Sequence, residues 1–188
     1  MPFEEIQPNS ERRWSEQRAA VERIRGALGN PVGEAVKDLV IGLNLFDIHT
    51  VYSGEGRMED RRRATAPFIE IESKEAKELG DDYVRRNKDV GFNEPYAEDT
   101  RQKISEKNLK ERAKLIPLLD EFYKERNTPY DARLIIESLK DNASRITNQG
   151  AQLQELASSH MRKQKLGEYQ HEMQAFGVFL KQKFLSGK

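Results

Sequence analysis

Cysteine is absent from all 188 residues, which excludes disulfide frameworks, thiolate zinc sites, iron-sulfur clusters and cysteine nucleophiles together. Net charge is absent too. With 32 Lys and Arg against 32 Asp and Glu, the broad positive field of a general nucleic-acid binder is missing, and an anionic partner must be met locally. No apolar run approaches the roughly 18 residues that suggest a membrane span, and Met1-Pro2-Phe3-Glu4-Glu5 has no basic segment. Neither a span nor a signal peptide is expected, and a cytoplasmic location is. No internal repeat, nucleophile elbow or His-Glu-x-x-His pair occurs.

Apolar residues make up 36% and charged residues 34%, with a mean hydropathy of -0.85. Leu, Ile, Val and Phe nevertheless recur periodically, which points to long solvated helices rather than disorder. The length suits an α+β core domain over residues 1–150 and a C-terminal helical segment, 151–188, packed on the core or on a partner.

Ser10 is placed to cap a first helix carrying Trp14, Val21, Ile24 and Leu28, ended by Gly29-Asn30-Pro31. Pro31 suits the first position of a second helix, whose Val36, Leu39, Val40, Leu43 and Phe46 make it the most buried. β-prone stretches over 48–57 and 66–73 read as strands, the second with Ile69 and Ile71 on one face and Phe68, Glu70 and Glu72 on the other. A modest helix over 74–86 and a long loop over 87–100 follow. From about Gln102 to Arg126 a helix kinked at Pro117 is expected, with Leu109, Ile116, Leu119 and Tyr123 as its stripe. Residues 132–148 read as a hairpin turning at Lys140-Asp141-Asn142, with a short helix over 131–142 as the alternative. The tail from Gln152 is helical, and Tyr169, Met173, Phe176, Leu180 and Phe184 form a stripe that needs a cover. The expected fold is about five helices packed on a small, mainly antiparallel sheet of three or four strands.

Gly54-Glu55-Gly56 beside Arg57 allows a sharp backbone excursion that lifts Glu55 and Arg57 out of a sheet; a glycine-rich bulge at a strand end explains the same pattern. It lacks the Lys-Ser/Thr of a phosphate loop and the third glycine of a dinucleotide fingerprint. Residues 38–72, with the helix Leu39-Val40-Ile41-Gly42-Leu43-Asn44, the strand and turn Ile48 to Arg57 and the strand Phe68-Ile69-Glu70-Ile71, resemble an element of uncharacterised bacterial proteins with a Ser-Cys-Glu-Gly-His type of turn. They resemble more distantly the wybutosine-synthesis methyltransferase family, whose turn reads Ser-Cys-Ser-Gly-Arg. Ser53, Glu55 and Gly56 match the first turn, and Ser53, Gly56 and Arg57 the second. Gly54 stands where both have Cys.

The candidate ligand-binding set is therefore Ser53, Glu55, Arg57, Glu70 and Glu72. The strands over 48–57 and 66–73 are expected to pair as antiparallel neighbours and to bring Arg57 and Glu70 onto a common polar surface beside the turn. Glu70 and Glu72 with His49 and Glu55 offer oxygens suited to Mg or Mn, while a solvated strand face explains the same spacing; no metal, cofactor or catalytic residue is assigned. Arg57, Arg61, Arg62 and Arg63 can clamp phosphates or simply line a solvated loop. Three functions remain open. The first is a soluble binding or regulatory protein whose amphipathic helices associate with another copy or a protein partner. The second is an enzyme or ligand-binding domain for a phosphate-bearing small molecule or nucleotide at the Gly54 to Arg57 turn. The third is an RNA-associated protein, disfavoured by the balanced charge and the lack of an aromatic stacking platform.

Overall fold

The computed structural model describes residues 8–26, 29–58, 64–87, 97–151 and 158–187. Helix α1 (Pro8–Arg23) buries Trp14 and Val21, and Ser10 lies inside it rather than capping it. It stops before Ile24, which is exposed; Leu28 lies outside the described residues. A tight turn follows, in which Gly29 takes φ 78° and donates to the Gly26 carbonyl while the Gly26 N–H donates to the Asn30 carbonyl at 2.8 Å. That turn brings Pro31 opposite Arg25 as an isolated bridge. Pro31 therefore does not open the second helix, as the sequence suggested. Helix α2 (Glu34–Leu45) starts after an extended Gly33. Its buried face, Ala35, Val36, Leu39, Val40, Ile41, Gly42 and Leu43, makes it the expected centre of the core.

The strands are β1 (Thr50–Gly54), β2 (Arg57–Met58), β3 (Ala64–Thr65), β4 (Phe68–Ile71), β5 (Leu134–Ser138) and β6 (Ser144–Asn148). Four form one antiparallel sheet in the order β1-β4-β6-β5, and β2 and β3 form a separate two-stranded ribbon. Ile69 faces Ile146, which faces Ile136, and with Ile71 and Leu134 these side chains turn toward the helices. Burying each of Ile69, Ile71 and Ile146 contributes about 1.5 to 3 kcal/mol, and a one-residue slip would turn all of them to the other face. The hairpin expected over 132–148 is present. Asp141 and Asn142 make its turn with φ 53° and 58°, a conformation Asp and Asn tolerate better than most residues.

Helix α3 (Lys74–Arg86) is followed by α4 (Glu98–Tyr123), which begins earlier than expected, with Glu98 and Asp99 complementing the helix dipole in its first turn. Residues 88–96 of the expected long loop lie outside the described residues. Two of the four stripe residues expected to turn inward, Leu109 (46%) and Ile116 (44%), are exposed. The inward face holds Ile104, Leu115, Leu118, Leu119 and Phe122 together with Asn108 and Glu111. Asn108 accepts the Ser73 N–H and donates to the Asp141 carbonyl, both at 2.9 Å, and Glu111 accepts the His49 N–H at 2.6 Å. These partners make the polar residues fit for burial and rotate the stripe. Pro117 sits within α4 at an exposed position, where the carbonyl it frees can be hydrated.

Helix α5 (Ser159–Ser186) begins at Ser158, whose Oγ accepts the Met161 N–H. It runs unbroken through Gly167. Met173, Phe176 and Leu180 join the core made by α2, Tyr169 reaches Asp131 and Gly150, and Phe184 packs between Trp14 and Phe46. The chain itself supplies the cover for the stripe. No helix among the described residues is long and apolar enough to cross a membrane.

Candidate functional site

The segments that carry the candidate residues pair as expected, β1 antiparallel to β4, with Tyr52 opposite Glu70, Ser53 opposite Ile69 and Gly54 opposite Phe68. The candidate side chains do not converge. Ser53 shares the face of Ile69, whereas Glu70 points to the other face, where Arg145 of β6 forms an ion pair with it and lies over the Phe68 ring at 4.9 Å. Arg57 has left this sheet. Gly56, at φ 72°, turns the chain into the β2–β3 ribbon, where the Arg57 N–H donates to Thr65 Oγ1 at 3.1 Å. The surface expected to join Arg57 to Glu70 on one sheet is not formed. Glu72 lies past the other end of β4, four residues beyond the Phe68 that faces Gly54, or about 13 Å at the rise of a strand.

Each part of the Gly54-Glu55-Gly56 turn has a structural partner. The Phe68 ring covers Gly54 so closely that a Cβ there would lie 2.7 Å from Cε1. Glu55 lies against Gly33 at the start of α2, where the helix dipole favours a carboxylate. A Cβ on Gly56 would meet the Thr65 carbonyl and Leu166 of α5, and Gln170 of α5 donates to the carbonyls of Glu55 at 2.9 Å and Gly56 at 3.4 Å. The turn joins α2, the ribbon and α5. Residues 59–63, including Arg61, Arg62 and Arg63, lie outside the described residues.

Glu72 is half-buried, and burial raises its carboxyl above the usual range against the pull of Lys77. Opposite it, His49 Nδ1 is 3.0 Å from the Glu72 carbonyl. Among the described residues no group of three or more His, Asp or Glu side chains is placed to hold a metal ion.

A recess of about 890 Å³ opens instead between the C-terminal end of α4 and the middle of α5. Its apolar wall is Phe122, Ala175, Val178 and Phe179, and its rim is charged and polar, with Lys124, Glu125, His171 and Gln182. Phe122 packs on Phe176 and Phe179 with ring centroids 5.0 and 5.5 Å apart, which fixes the floor. Val178, 47% exposed, stands at its edge.

Ion pairs close both ends. Lys183 of α5 reaches Glu121 of α4 at 2.7 Å, and Arg126 bonds Glu172 through Nε at 3.2 Å and Nη2 at 2.8 Å. Glu172 is 3% exposed and also accepts the hydroxyls of Tyr123 at 3.0 Å and Thr128 at 3.1 Å. Four donated bonds make the buried charge tolerable. Burial pushes the Tyr123 hydroxyl well above its usual value, so it stays a donor to Glu172 while accepting the Leu134 N–H at 2.7 Å.

One signal of this groove is visible in the sequence. Val178 and Phe179 are apolar yet fall off the stripe from Tyr169 to Phe184, so α5 has apolar residues on more than its core face. No protein-family model matches the chain, and neither does any curated protein or solved structure.

Proposed function

We propose that this chain is a non-catalytic binding or regulatory protein of the cytoplasm that holds an amphipathic helix of a protein partner between α4 and α5. The observation that carries this reading is the groove itself, an aromatic floor with an exposed apolar edge and a rim of both charge signs. From Glu172 to Lys183 α5 rises about 16 Å, three helical turns. That length suits a partner helix with apolar anchors at i, i+4 and i+7. The turn from Gly54 to Arg57 supports a ligand less well, since its glycines and Glu55 are engaged by Phe68, Gly33 and α5.

The test is fluorescence anisotropy with labelled helix-forming peptides carrying Leu at i, i+4 and i+7 and mixed charge elsewhere. Saturable binding is expected, weakened about tenfold by Val178→Asp, or about 1.4 kcal/mol, and unaffected by Leu109→Asp on the exposed side of α4. Absence of saturable binding across the set, or equal binding by the Val178→Asp protein, contradicts the proposal.

A further inference from the structure

We propose that the face of the four-stranded sheet opposite its helix-covered core packs on the same face of a second copy of this chain, as the two layers of a sandwich. The inference does not rest on the α4–α5 groove, because it uses a different surface. Residues directly opposite each other in an antiparallel sheet share a face, and successive residues along a strand alternate. Ile69, Ile71 and Ile146 enter the core, and Arg112 of α4 bonds Ser138 and Ser144 on that same side. The opposite side therefore carries two rows that cross all four strands. One is Tyr52, Glu70, Arg145 and Glu137; the other is Gly54, Phe68, Thr147 and Ile135.

The two rows are complementary to themselves. Aligned sheets that pack face to face are related by a two-fold axis running either along the strands or across them. With the axis along the strands, between β4 and β6, each row meets the same row of the second copy in reverse order. Glu70 then faces Arg145 of the second copy, Arg145 faces its Glu70, and the four groups close a square of alternating charge. Tyr52 brings a hydroxyl donor to Glu137 of the second copy, and the Phe68 ring, which covers Gly54, meets its Thr147 and Ile135. The axis across the strands sets Glu70 over Glu70 and Arg145 over Arg145, or, moved between the rows, sets these charges over Phe68 and Thr147. The first arrangement repels and the second buries charges without partners.

The groups this packing needs are available. Tyr52 is 70% exposed. Arg145 gives Nη2 to Glu70 Oε1, and no described residue takes its Nη1 or donates to Glu70 Oε2. A face four strands wide spans about 19 Å at the usual strand spacing, the scale of a small interface, so association in the micromolar range is expected.

Sedimentation equilibrium of the full chain through the micromolar range tests the packing. The wild-type protein is expected to approach twice 21.8 kDa. Tyr52→Asp leaves the Glu70–Arg145 pair intact, sets a carboxylate opposite Glu137 at two places and should weaken the dimer about tenfold. Glu70→Arg and Arg145→Glu each put like charges across the seam, and each should sediment at the single-chain mass. An equimolar mixture of these two sets opposite charges across the seam and should return to twice that mass. Circular dichroism checks that each variant is folded, and Tyr52→Asp, at an exposed position, carries the test alone if either charge variant is not. A wild-type protein that is monomeric throughout the micromolar range, a Tyr52→Asp protein as dimeric as wild type, or two folded charge variants that stay monomeric when mixed would overturn the proposal.

Discussion

Gly177 of α5 lies directly against the Leu39 amide of α2: a Cβ at Gly177 would fall 2.8 Å from Leu39 N. Gly42 of α2 meets Leu180 as closely, so the two helices approach each other at a pair of glycines. Gly167, ten residues earlier on α5, has nothing within 4 Å of the same construction. The two glycines of one helix therefore respond oppositely to alanine. Gly177→Ala must push α2 backbone aside and should destabilise by about 1 to 3 kcal/mol. Gly167→Ala, at a helical position facing open space, should stabilise by about 0.5 to 1 kcal/mol. Thermal unfolding of both variants decides it, and shifts of the same sign would contradict this packing.

Glu172 ties α5 to the end of α4 through Tyr123 and to the chain after it through Arg126 and Thr128. Glu172→Ala removes the acceptor for all three and strands Arg126, with a cost of about 3 kcal/mol or more expected in urea unfolding. Tyr123→Phe leaves the Arg126 pair and should cost about 1 to 2 kcal/mol, because Leu134 N–H loses its acceptor. Equal effects would mean that Glu172 does not organise the cluster.

Two carboxylates should shift stability with pH in opposite senses. Burial raises Glu72, so the folded chain holds its proton more tightly than the unfolded chain, and ionised Glu72 costs stability above its folded pKa. That cost fades as pH falls through the folded value and is gone below the ordinary carboxylate range. Glu72→Gln should thus melt higher than wild type at neutral pH, with the gap closing in acid. The hydrogen bond from Lys165 lowers Asp131, so its contribution is present above the ordinary carboxylate value and is lost as pH falls through the folded one. Asp131→Asn should melt lower at neutral pH, with its gap also closing in acid. Melting curves at a series of pH values test both signs.

Gly56 adopts φ 72° and also faces the Thr65 carbonyl, so Gly56→Ala combines backbone strain with a close contact. A loss of about 1 to 3 kcal/mol is expected from the strain alone. A neutral effect in thermal unfolding would show that the turn is not held as a junction.

The α+β class, the burial of α2 and the hairpin with its Asp141-Asn142 turn were legible because apolar period and turn chemistry act locally. The phase of α4 was not, since the partners that make Asn108 and Glu111 fit for burial come from β4's end, the hairpin turn and His49, all distant in sequence. The pairing of 48–57 with 66–73 was readable. That Gly56 would send Arg57 into a separate ribbon was not, because a glycine permits a positive φ without requiring it. Likewise Gly42 and Gly177 look like defects in helical patterns until the crossing of α2 and α5 gives them a purpose. The groove depends on two helices some fifty residues apart, and only the off-stripe Val178 and Phe179 hint at it.

The most direct measurement of the central claim is backbone-amide NMR of the full chain titrated with the Leu-bearing helical peptide. Binding between α4 and α5 predicts the largest shift changes at Phe122, Lys124, Ala175, Val178 and Phe179, with Ser53 to Arg57 and Glu70 unmoved. Changes centred on Ser53 to Arg57, with α4 and α5 silent, would contradict the groove and return function to the glycine turn.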